Sequence, residues 1–447
     1  MKIELFDGII RADIFVLVLN FTLLIHFLVS YYFNCYKKGF KVDYWHYTIF
    51  LVFILPFVII YPFAASRYNV IATGDKIEII KNYVDKAYLI SFVGYISLYI
   101  GFFHFSFFRK RSVLYFSING LHKKLSIFTN ACIQSRYSML LLVSLGFVLI
   151  ALLYINVMSQ YGFSVNIRRY ILADSSLRPI FNFTISFIPI ILTFLLLKFA
   201  DTKRKLYLIT AVLFILLMLL CGVRSAIAYP VLTVYILSLI SKKKKASILK
   251  MILIGGVFLF IILLLGQLRN GYIDLLSLVK TFGLMIFYGN NFSDLRDFAW
   301  ILAYWDGVFV TGKTYLAAFI SFIPRSFSAF RSDWALSIYT NSLVGFEPTE
   351  HAGLRPGIFG EAYLNFGIFG VIIFGYITGY ILKFTDYQIK DSVLRGHSNL
   401  SKSYSLTTLY SLNSIFLVTS GFWKFYIILF IVLLGYIVSE ILKKRPL

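Results

Sequence analysis

Long apolar runs recur along the whole chain, and each has about the length that crosses a lipid bilayer. A spanning helix needs roughly 20 apolar residues, and within lipid only helices and closed barrels satisfy their own backbone groups. These runs are too long and too uniformly apolar for barrel strands. We therefore predict an all-α polytopic integral membrane protein with about 11 transmembrane helices. The predicted spans are Ala12–Phe33, Tyr47–Ser66, Ala87–Phe108, Tyr137–Met158, Pro179–Ala200, Leu206–Gly222, Ser225–Ile240, Ile248–Gly266, Gly357–Phe384, Tyr404–Gly421 and Phe422–Glu440.

The composition excludes several classes of protein. Hydrophobic residues form 59% of the 447 residues and charged residues 14%, which is more apolar surface than a soluble domain of this length can bury. The net charge of +23 does not indicate nucleic-acid binding, because the cations form short clusters between apolar runs. The three cysteines are scattered without metal-ligand spacing, and no nucleotide-binding motif is present. We expect no metal and no cofactor.

The basic clusters predict the orientation of the chain in the membrane. Cytoplasmic loops are enriched in Lys and Arg, and five clusters fall on one side if the N-terminus is outside and the C-terminus is cytoplasmic. The clusters are Lys37–Lys38, Arg109–Arg111, Lys203–Lys205, Lys242–Lys245 and Lys443–Arg445.

One long stretch contains no convincing span. Residues 267–356 are mixed, polar and aromatic, and the stretch is far longer than a connection requires. We predict an outer domain with amphipathic helices that rest on the bilayer. It separates about eight N-terminal spans in residues 1–266 from about three C-terminal spans in residues 357–447.

Arginine is over-represented in the predicted outer segments. From residue 168 onward these segments carry nine arginines and three lysines, although topology disfavours cations there. The arginine fork binds phosphate through two parallel hydrogen bonds and keeps its charge, which suits a pyrophosphate or another anionic headgroup. Pairing with outer carboxylates such as Asp294 and Asp297, or with lipid phosphates, remains open. The candidate diphosphate or glycan ligands are Arg168, Arg169, Arg224, Arg269, Arg325, Arg331 and Arg355.

Arg224 has the most unusual sequence context of these arginines. Gly222–Ser225 joins two predicted spans with almost no loop, so Arg224 is expected at the outer membrane surface among apolar neighbours. A cation in that position is costly unless it is paired or functional. Snorkelling of its side chain to lipid headgroups is the alternative.

Two residues near the last group of spans are candidates for proton transfer. His351 lies beside Glu350 in the outer stretch, and a histidine with a neighbouring carboxylate can accept a proton near neutral pH. Glu361 lies at the mouth of the span Gly357–Phe384, where an ionisable group is functional by default. The alternatives are a simple hydrogen-bonding role for His351 and capping of the first helical turn by Glu361.

These features together resemble the O-antigen polymerase (Wzy) family. The resemblance is good over roughly the C-terminal half, whereas the first five spans match only as hydrophobic helices. The residues that carry it are Gly222–Ser225, Gln267–Gly271, Thr311–Tyr315, Ile323–Ser326 and Gly360–Gly370.

The resemblance implies a glycosyltransferase with an all-helical architecture like that of the GT-C lipid-linked glycosyltransferases. Its donor would be an oligosaccharide on undecaprenyl diphosphate, transferred on the periplasmic face of the bacterial inner membrane to build O-antigen or capsular polysaccharide. Arg224 and Arg269, with Arg325 or Arg331, would hold the donor diphosphate. His351 or Glu361 would deprotonate the acceptor hydroxyl. A chain-length regulator protein is an expected partner.

Three other functions remain as alternatives. An O-antigen ligase uses the same donor with a lipid A-core acceptor. Its loop resembles a His-x-x-Asn or His-Asn run, and His351–Leu354 lacks that asparagine. A flippase or another transporter would show internal repeats and ionisable groups near the bilayer midplane, and no convincing repeat is present. A scaffold for an assembly complex predicts that outer arginine substitutions are silent.

Overall fold

The described part of the chain forms helices in a computed structural model of the protein. The structure describes residues 14–61, 77–162, 167, 170–171, 177–222, 225–241, 256, 264, 294–323, 325–346, 353–395 and 422–443. The helices of the first half are α1 (Ile14–Tyr31, extended by a π-helical turn Tyr32–Tyr36), α2 (Tyr44–Ile49, continued by the π-helical Phe50–Ile60), α3 (Ile77–Phe108), α4 (Val113–Gln134), α5 (Arg136–Tyr161), α6 (Arg178–Thr202), α7 (Lys205–Leu220) and α8 (Ser225–Ser241). Those of the second half are α9 (Asp294–Tyr304), α10 (Lys313–Phe319), α11 (Ala329–Trp334), α12 (Leu336–Val344), α13 (Gly357–Leu394) and α14 (Phe422–Lys443).

The described helices account for most of the predicted spans. Five of them are long and apolar enough to cross a membrane, and they are Ile14–Tyr36, Asn82–Phe108, Arg136–Tyr161, Arg178–Thr202 and Gly357–Leu394. Four more are shorter apolar helices, and they are Tyr44–Ile60, Lys205–Leu219, Pro230–Ser241 and Phe425–Ile441. These nine coincide with nine of the predicted spans. The predicted span at 404–421 lies outside the described residues. So does the predicted span at 248–266, of which only Gly256 and Leu264 are described. The total of 11 and the GT-C architecture stay predictions.

Glycines allow α13 and α3 to cross with their backbones in contact. A Cβ at Gly375 would lie 2.7 Å from the Gly94 backbone oxygen, and a Cβ at Gly379 would overlap the Leu98 oxygen. On the facing helix, a Cβ at Gly101 would overlap the Tyr376 oxygen. Small residues at such crossings let transmembrane helices approach closely and gain van der Waals contact, which replaces the hydrophobic driving force that is absent in lipid.

A second group of helices packs around α6. Its neighbours are α5, α7, α8 and α14, and the apolar side chains of its middle turns, such as Phe187, Ile191 and Phe194, are fully buried. A helix that is apolar on every side is expected at the centre of a membrane bundle.

The connection between the spans α3 and α5 is itself a helix. The lysine-containing segment after Arg111, predicted as a cytoplasmic connection, forms the 22-residue α4. Ser112 caps its start by accepting from Tyr115 N–H, and Ser135 caps the start of α5 by accepting from Ser138 N–H. Serine is favoured at these positions because its side chain satisfies an N–H group that the helix leaves unpaired.

The stretch predicted as an outer domain contains α9 to α12. That amphipathic helices of this stretch rest on the bilayer stays a prediction, but α9 itself is buried. Residues 295–302 are all buried, and α9 packs against α3. The helix can be buried with its charges because Arg296 and Asp297 pair with each other, and buried charges need such partners.

Candidate functional site

Two motifs that carry the family resemblance meet in the structure. Thr311–Tyr315 begins α10, and Gly360–Gly370 lies in the first turns of α13. Thr314 Oγ1 donates a hydrogen bond to Glu361 Oε1 at 3.0 Å, and Asn365 Nδ2 donates to Thr314 Oγ1 at 2.7 Å. Asn365 Nδ2 also donates to the Glu361 backbone oxygen at 2.8 Å. All three side chains are fully buried, so this Thr314–Glu361–Asn365 cluster joins the two segments.

A break in α13 leaves backbone carbonyl groups free to accept hydrogen bonds from the turn of residues 310–312, which precedes α10. The span Gly357–Phe384 was predicted as one helix, but Gly367 interrupts it with φ 63° and ψ −153°. The last carbonyls before a helix break have no partner in the helix. Here the three successive N–H groups of residues 310–312 donate to Leu364 O, Asn365 O and Asn365 Oδ1, at 3.1, 3.1 and 3.0 Å. The turn of residues 310–312 therefore caps the first segment of α13.

Glu361 keeps one carboxyl oxygen free of hydrogen bonds to the described residues. That oxygen is Oε2, and the buried hydroxyl of Tyr315 likewise has no hydrogen-bond partner within the described ranges. Burial, with the nearby Glu361 charge, raises the pKa of the Tyr315 hydroxyl. Buried polar atoms are nearly always hydrogen-bonded, so Glu361 Oε2 and the neighbouring Tyr315 hydroxyl are exceptional in having no partner among the described residues. The Glu361 side chain faces α10 and does not cap the first turn of its own helix.

Two arginines of the segment predicted to lie outside the membrane contact carboxylates. The buried Arg296 donates from Nε and Nη2 to Asp297 Oδ1 at 2.9 and 2.6 Å. The Arg355 backbone N–H donates to Asp297 Oδ2 at 3.2 Å, and Arg355 Nε lies 4.0 Å from Asp294 Oδ1. Carboxylate pairing, the alternative that the sequence left open, thus applies to these two, and the role of Arg355 in binding the diphosphate stays a prediction.

Arg325 and Arg331 form a different arrangement. Arg331 Nη1 donates to the backbone oxygens of Ser321, at 3.0 Å, and Ile323. Arg325 Nη2 donates to Ser337 Oγ at 3.4 Å. Burial and the neighbouring Arg325 guanidinium lower the pKa of Arg331. Neither arginine forms an ion pair with a carboxylate of the described residues, whose arginine ion pairs involve Arg296, Arg355 and Arg395. The charges of the two guanidinium groups therefore repel each other, and a bound anion relieves this repulsion.

A third cation and a contact to the last span complete this region. Lys313 Nζ lies 4.1 Å from the centre of the Trp334 ring, in a cation–π contact. The Tyr426 hydroxyl of α14 donates to the Phe319 backbone oxygen at the end of α10. The cationic group is therefore tied to both α13 and α14.

The remaining predicted site residues cannot be placed. They lie outside the described residues, so their roles stay predictions; they are Arg168, Arg169, Arg224, Arg269 and His351.

The sequence analysis missed a buried ionic cluster at the far end of α13. Lys390 Nζ lies 2.6 Å from Asp43 Oδ2 and 3.1 Å from Asp386 Oδ2, and Lys383 Nζ lies 2.7 Å from Asp386 Oδ2. The charges at 383, 386 and 390 stand at helical spacing in an apolar helix, which was a signal for paired charges on one buried face. Burial alone would raise the pKa of Asp43, but Lys390 and His46 hold it well below its usual range.

Three potential metal ligands lie in the same cluster. The donor atoms of Cys35, Asp43 and His46 lie within 4.8 Å of one another, although the spacing of the cysteines did not indicate metal ligands. His46 Nδ1 is 2.8 Å from Asp43 Oδ1, and its Nε2 is 3.1 Å from Ser30 Oγ. Because the Lys390 ammonium already neutralises Asp43, the arrangement is that of an ionic core that links α2 to α13.

Comparison with known proteins identifies the family. A family model described as O-antigen polysaccharide polymerase Wzy matches residues 5–338. The match includes the N-terminal spans, where the sequence motifs gave only weak resemblance, and it ends before Glu361. Comparison with curated proteins and with solved structures gives no match. The family implies a membrane-embedded, glycosyltransferase-type polymerase with a lipid-linked oligosaccharide substrate, which fits a helical fold with several spans. The chain therefore belongs to the O-antigen polysaccharide polymerase Wzy family.

Proposed function

We propose that the protein polymerises undecaprenyl-diphosphate-linked oligosaccharide repeat units on the periplasmic face of the bacterial inner membrane. The product is O-antigen or capsular polysaccharide, and the N-terminus lies outside. The observation that supports a diphosphate donor most directly is the Arg325–Arg331 pair, which has no carboxylate partner among the described residues. Guanidinium groups bind phosphate oxygens in pairs of parallel hydrogen bonds, so a diphosphate matches the charge of this pair.

The proposed transfer step needs no nucleotide and no cofactor. The acceptor hydroxyl oxygen bonds to the anomeric carbon of the donor glycan, and the bond from that carbon to the diphosphate oxygen breaks. The electron pair leaves on undecaprenyl diphosphate, where Arg325 and Arg331 stabilise the developing charge. Arg224 and Arg269 are proposed to contribute to the same site.

The hydroxyl proton goes to Glu361 or to His351. Glu361 supports this role through its Oε2 atom, which is not used by the described residues. Thr314 and Asn365 fix the position of the carboxyl group through the hydrogen bonds on its other side. A base held in one orientation transfers a proton more efficiently than a mobile one.

The proposal is tested by adding lipid-linked repeat units to the purified protein in liposomes, with no nucleotide. A ladder of products that stay attached to undecaprenyl diphosphate is the expected result. Polymer transferred to lipid A-core would identify a ligase instead. Movement of the units across the bilayer without any ladder would identify a flippase, and either result would overturn the proposal.

A further inference from the structure

The amphipathic helix α4 presents a face of apolar and basic residues that the rest of the described protein does not cover. The helix spans Val113–Gln134 and contains no acidic residue. Five large apolar side chains on it are between 37% and 80% exposed, and they are Val113, Leu114, Phe116, Leu121 and Ile127. At 100° per residue these positions fall on one half of the helix surface, together with the exposed Lys123 and Lys124.

The opposite half of α4 is attached to the ends of two spans. Asn119 Oδ1 accepts from Gln388 Nε2 at 3.0 Å, and the His122 ring contacts Phe384 at a centroid distance of 5.5 Å. Near the C-terminal end, where α4 packs against α14, Thr129 and Ile133 lie on the same opposite half and are fully buried. These contacts fix which half of the helix faces the bundle, so the exposed half is a stable surface.

The exposed apolar surface of α4 continues into that of both neighbouring spans. Phe107 and Phe108 at the end of α3 are exposed, as are Tyr137 and Leu140 at the start of α5. The outward faces of spanning helices are covered by lipid, since no water is present in the bilayer core. Because exposed apolar side chains stand on α4 and on the adjoining ends of α3 and α5 alike, we infer that the same lipid covers α4.

The charge of this segment selects the kind of lipid. Residues 109–136 contain six basic residues and no acidic one: Arg109, Lys110, Arg111, Lys123, Lys124 and Arg136. An amphipathic helix that combines apolar and basic residues lies at the boundary of headgroups and acyl chains, and its cations favour anionic lipids. Lysine stems extend along apolar surface and bring their ammonium groups to the headgroups.

We propose that α4 lies in the membrane interface and binds anionic phospholipid, with Phe116 and Ile127 among the acyl chains and Lys123 and Lys124 at the headgroups. The site is separate from Arg325 and Arg331 of the proposed diphosphate site, which lie in the turn before α11 and in α11 itself. It therefore stands or falls independently of the proposed function.

A spin label at position 116 tests this placement in the full-length protein. The native cysteines Cys35, Cys132 and Cys221 are buried, so a Phe116→Cys variant can be labelled selectively. The protein is reconstituted in vesicles of phosphatidylcholine with or without phosphatidylglycerol, and collisions of the label with oxygen and with a water-soluble nickel chelate are compared. Ile155→Cys, on the exposed face of the span α5, serves as the lipid reference, and Asp306→Cys, in an exposed turn, serves as the water reference.

The proposal predicts that the label at 116 behaves like the one at 155 when phosphatidylglycerol is present. Each lysine near an anionic surface contributes roughly a fivefold preference, so Lys123→Ser with Lys124→Ser should raise the phosphatidylglycerol fraction needed for this protection. A label at 116 that collides with the nickel chelate as often as the one at 306 would overturn the proposal. A label shielded from both reagents would show a protein contact and would also overturn it.

Discussion

Asn365 Nδ2 donates a hydrogen bond to Thr314 Oγ1 at 2.7 Å, across 51 residues of sequence. Both side chains are fully buried, and Thr314 Oγ1 in turn donates a hydrogen bond to Glu361 Oε1. The turn that precedes α10 and the break in α13 are thus held as one unit, with the Glu361 carboxyl fixed inside it. This unit accounts for the spacing of Thr, Glu and Asn in the two motifs.

Loss of Asn365 should weaken this unit. Asn365→Ala removes the partner of Thr314 Oγ1 and of the Gly312 N–H group, and leaving such buried groups unpaired costs about 1–3 kcal/mol of unfolding free energy. Unfolding of the purified protein in detergent measures the change. Asn156→Ala is the control, since the half-buried Asn156 side chain donates to Leu152 O of its own helix and does not join two segments of the described chain. Equal stability of the two variants would contradict the role given to Asn365.

Glu361→Gln separates the proposed role of Glu361 in proton transfer from its role in joining α10 to α13. The amide keeps an oxygen that can accept from Thr314, but it does not take up a proton near neutral pH. If Glu361 is the base, polymer formation should fall by about 100- to 10,000-fold while the unfolding temperature stays close to that of the wild type. Retention of full activity would show that Glu361 only joins α10 to α13, and His351 would then be the remaining candidate.

Arg325 and Arg331 should contribute to diphosphate binding. Hydrogen bonds to charged groups contribute about 1.5–3 kcal/mol, so Arg325→Ala or Arg331→Ala should weaken binding of undecaprenyl diphosphate by about 10- to 100-fold. Arg395→Ala is the matched control, because Arg395 forms an exposed ion pair with Asp391 at the other end of α13. Unchanged affinity in both outer variants, with the protein folded, would remove these arginines from the site.

The glycine crossing of α13 and α3 predicts a large difference between two similar substitutions. Gly379→Ala places a methyl group against the Leu98 backbone oxygen, and such overpacking typically costs about 1–3 kcal/mol. Gly120→Ala in α4 meets nothing within 4 Å, and replacing a helical glycine there should leave stability unchanged or raise it by up to about 1 kcal/mol. Thermal unfolding of both variants measures the contrast.

The ionic cluster predicts a loss of stability at acidic pH. The pKa of Asp43 is lower in the folded protein than its usual value, so the stabilisation is present above the pKa of the unfolded chain and is lost as the pH falls toward the folded value. Lys390→Met leaves the Asp43 charge buried with a weaker set of partners and should cost about 3–5 kcal/mol. Lys390→Met with Asp43→Asn should recover part of this loss. No recovery in unfolding measurements would contradict the pairing.

The sequence predicted the membrane class and the positions of nine helices because apolar length alone determines them. It could not predict the glycine crossing, since Gly375 and Gly379 are informative only once α3 is known to be their partner. It also predicted α13 as continuous, because nothing local distinguishes Gly367 from the other glycines of that helix. The reason for the positive φ of Gly367 is visible only in the structure, where the break lets the Leu364 and Asn365 carbonyl groups accept from the N–H groups of residues 310 and 311.

The candidate site was predictable in composition but not in arrangement. The surplus of outer arginines indicated an anion site, but sequence alone could not separate Arg296, which is paired with Asp297, from Arg325 and Arg331. The direction of Glu361 was equally hidden, because its partner Thr314 lies 47 residues away. Long-range pairing decides both questions, and local sequence does not encode it.

The formation of polymer from purified lipid-linked repeat units tests the central claim most directly. The wild-type protein in liposomes, without nucleotide, should give a ladder attached to undecaprenyl diphosphate. The Arg325→Ala, Arg331→Ala double variant should give none, while Arg395→Ala keeps the ladder. A ladder of normal length and amount from the folded double variant would contradict the proposed diphosphate site, and no ladder from the folded wild type with its own repeat unit would contradict the polymerase activity itself.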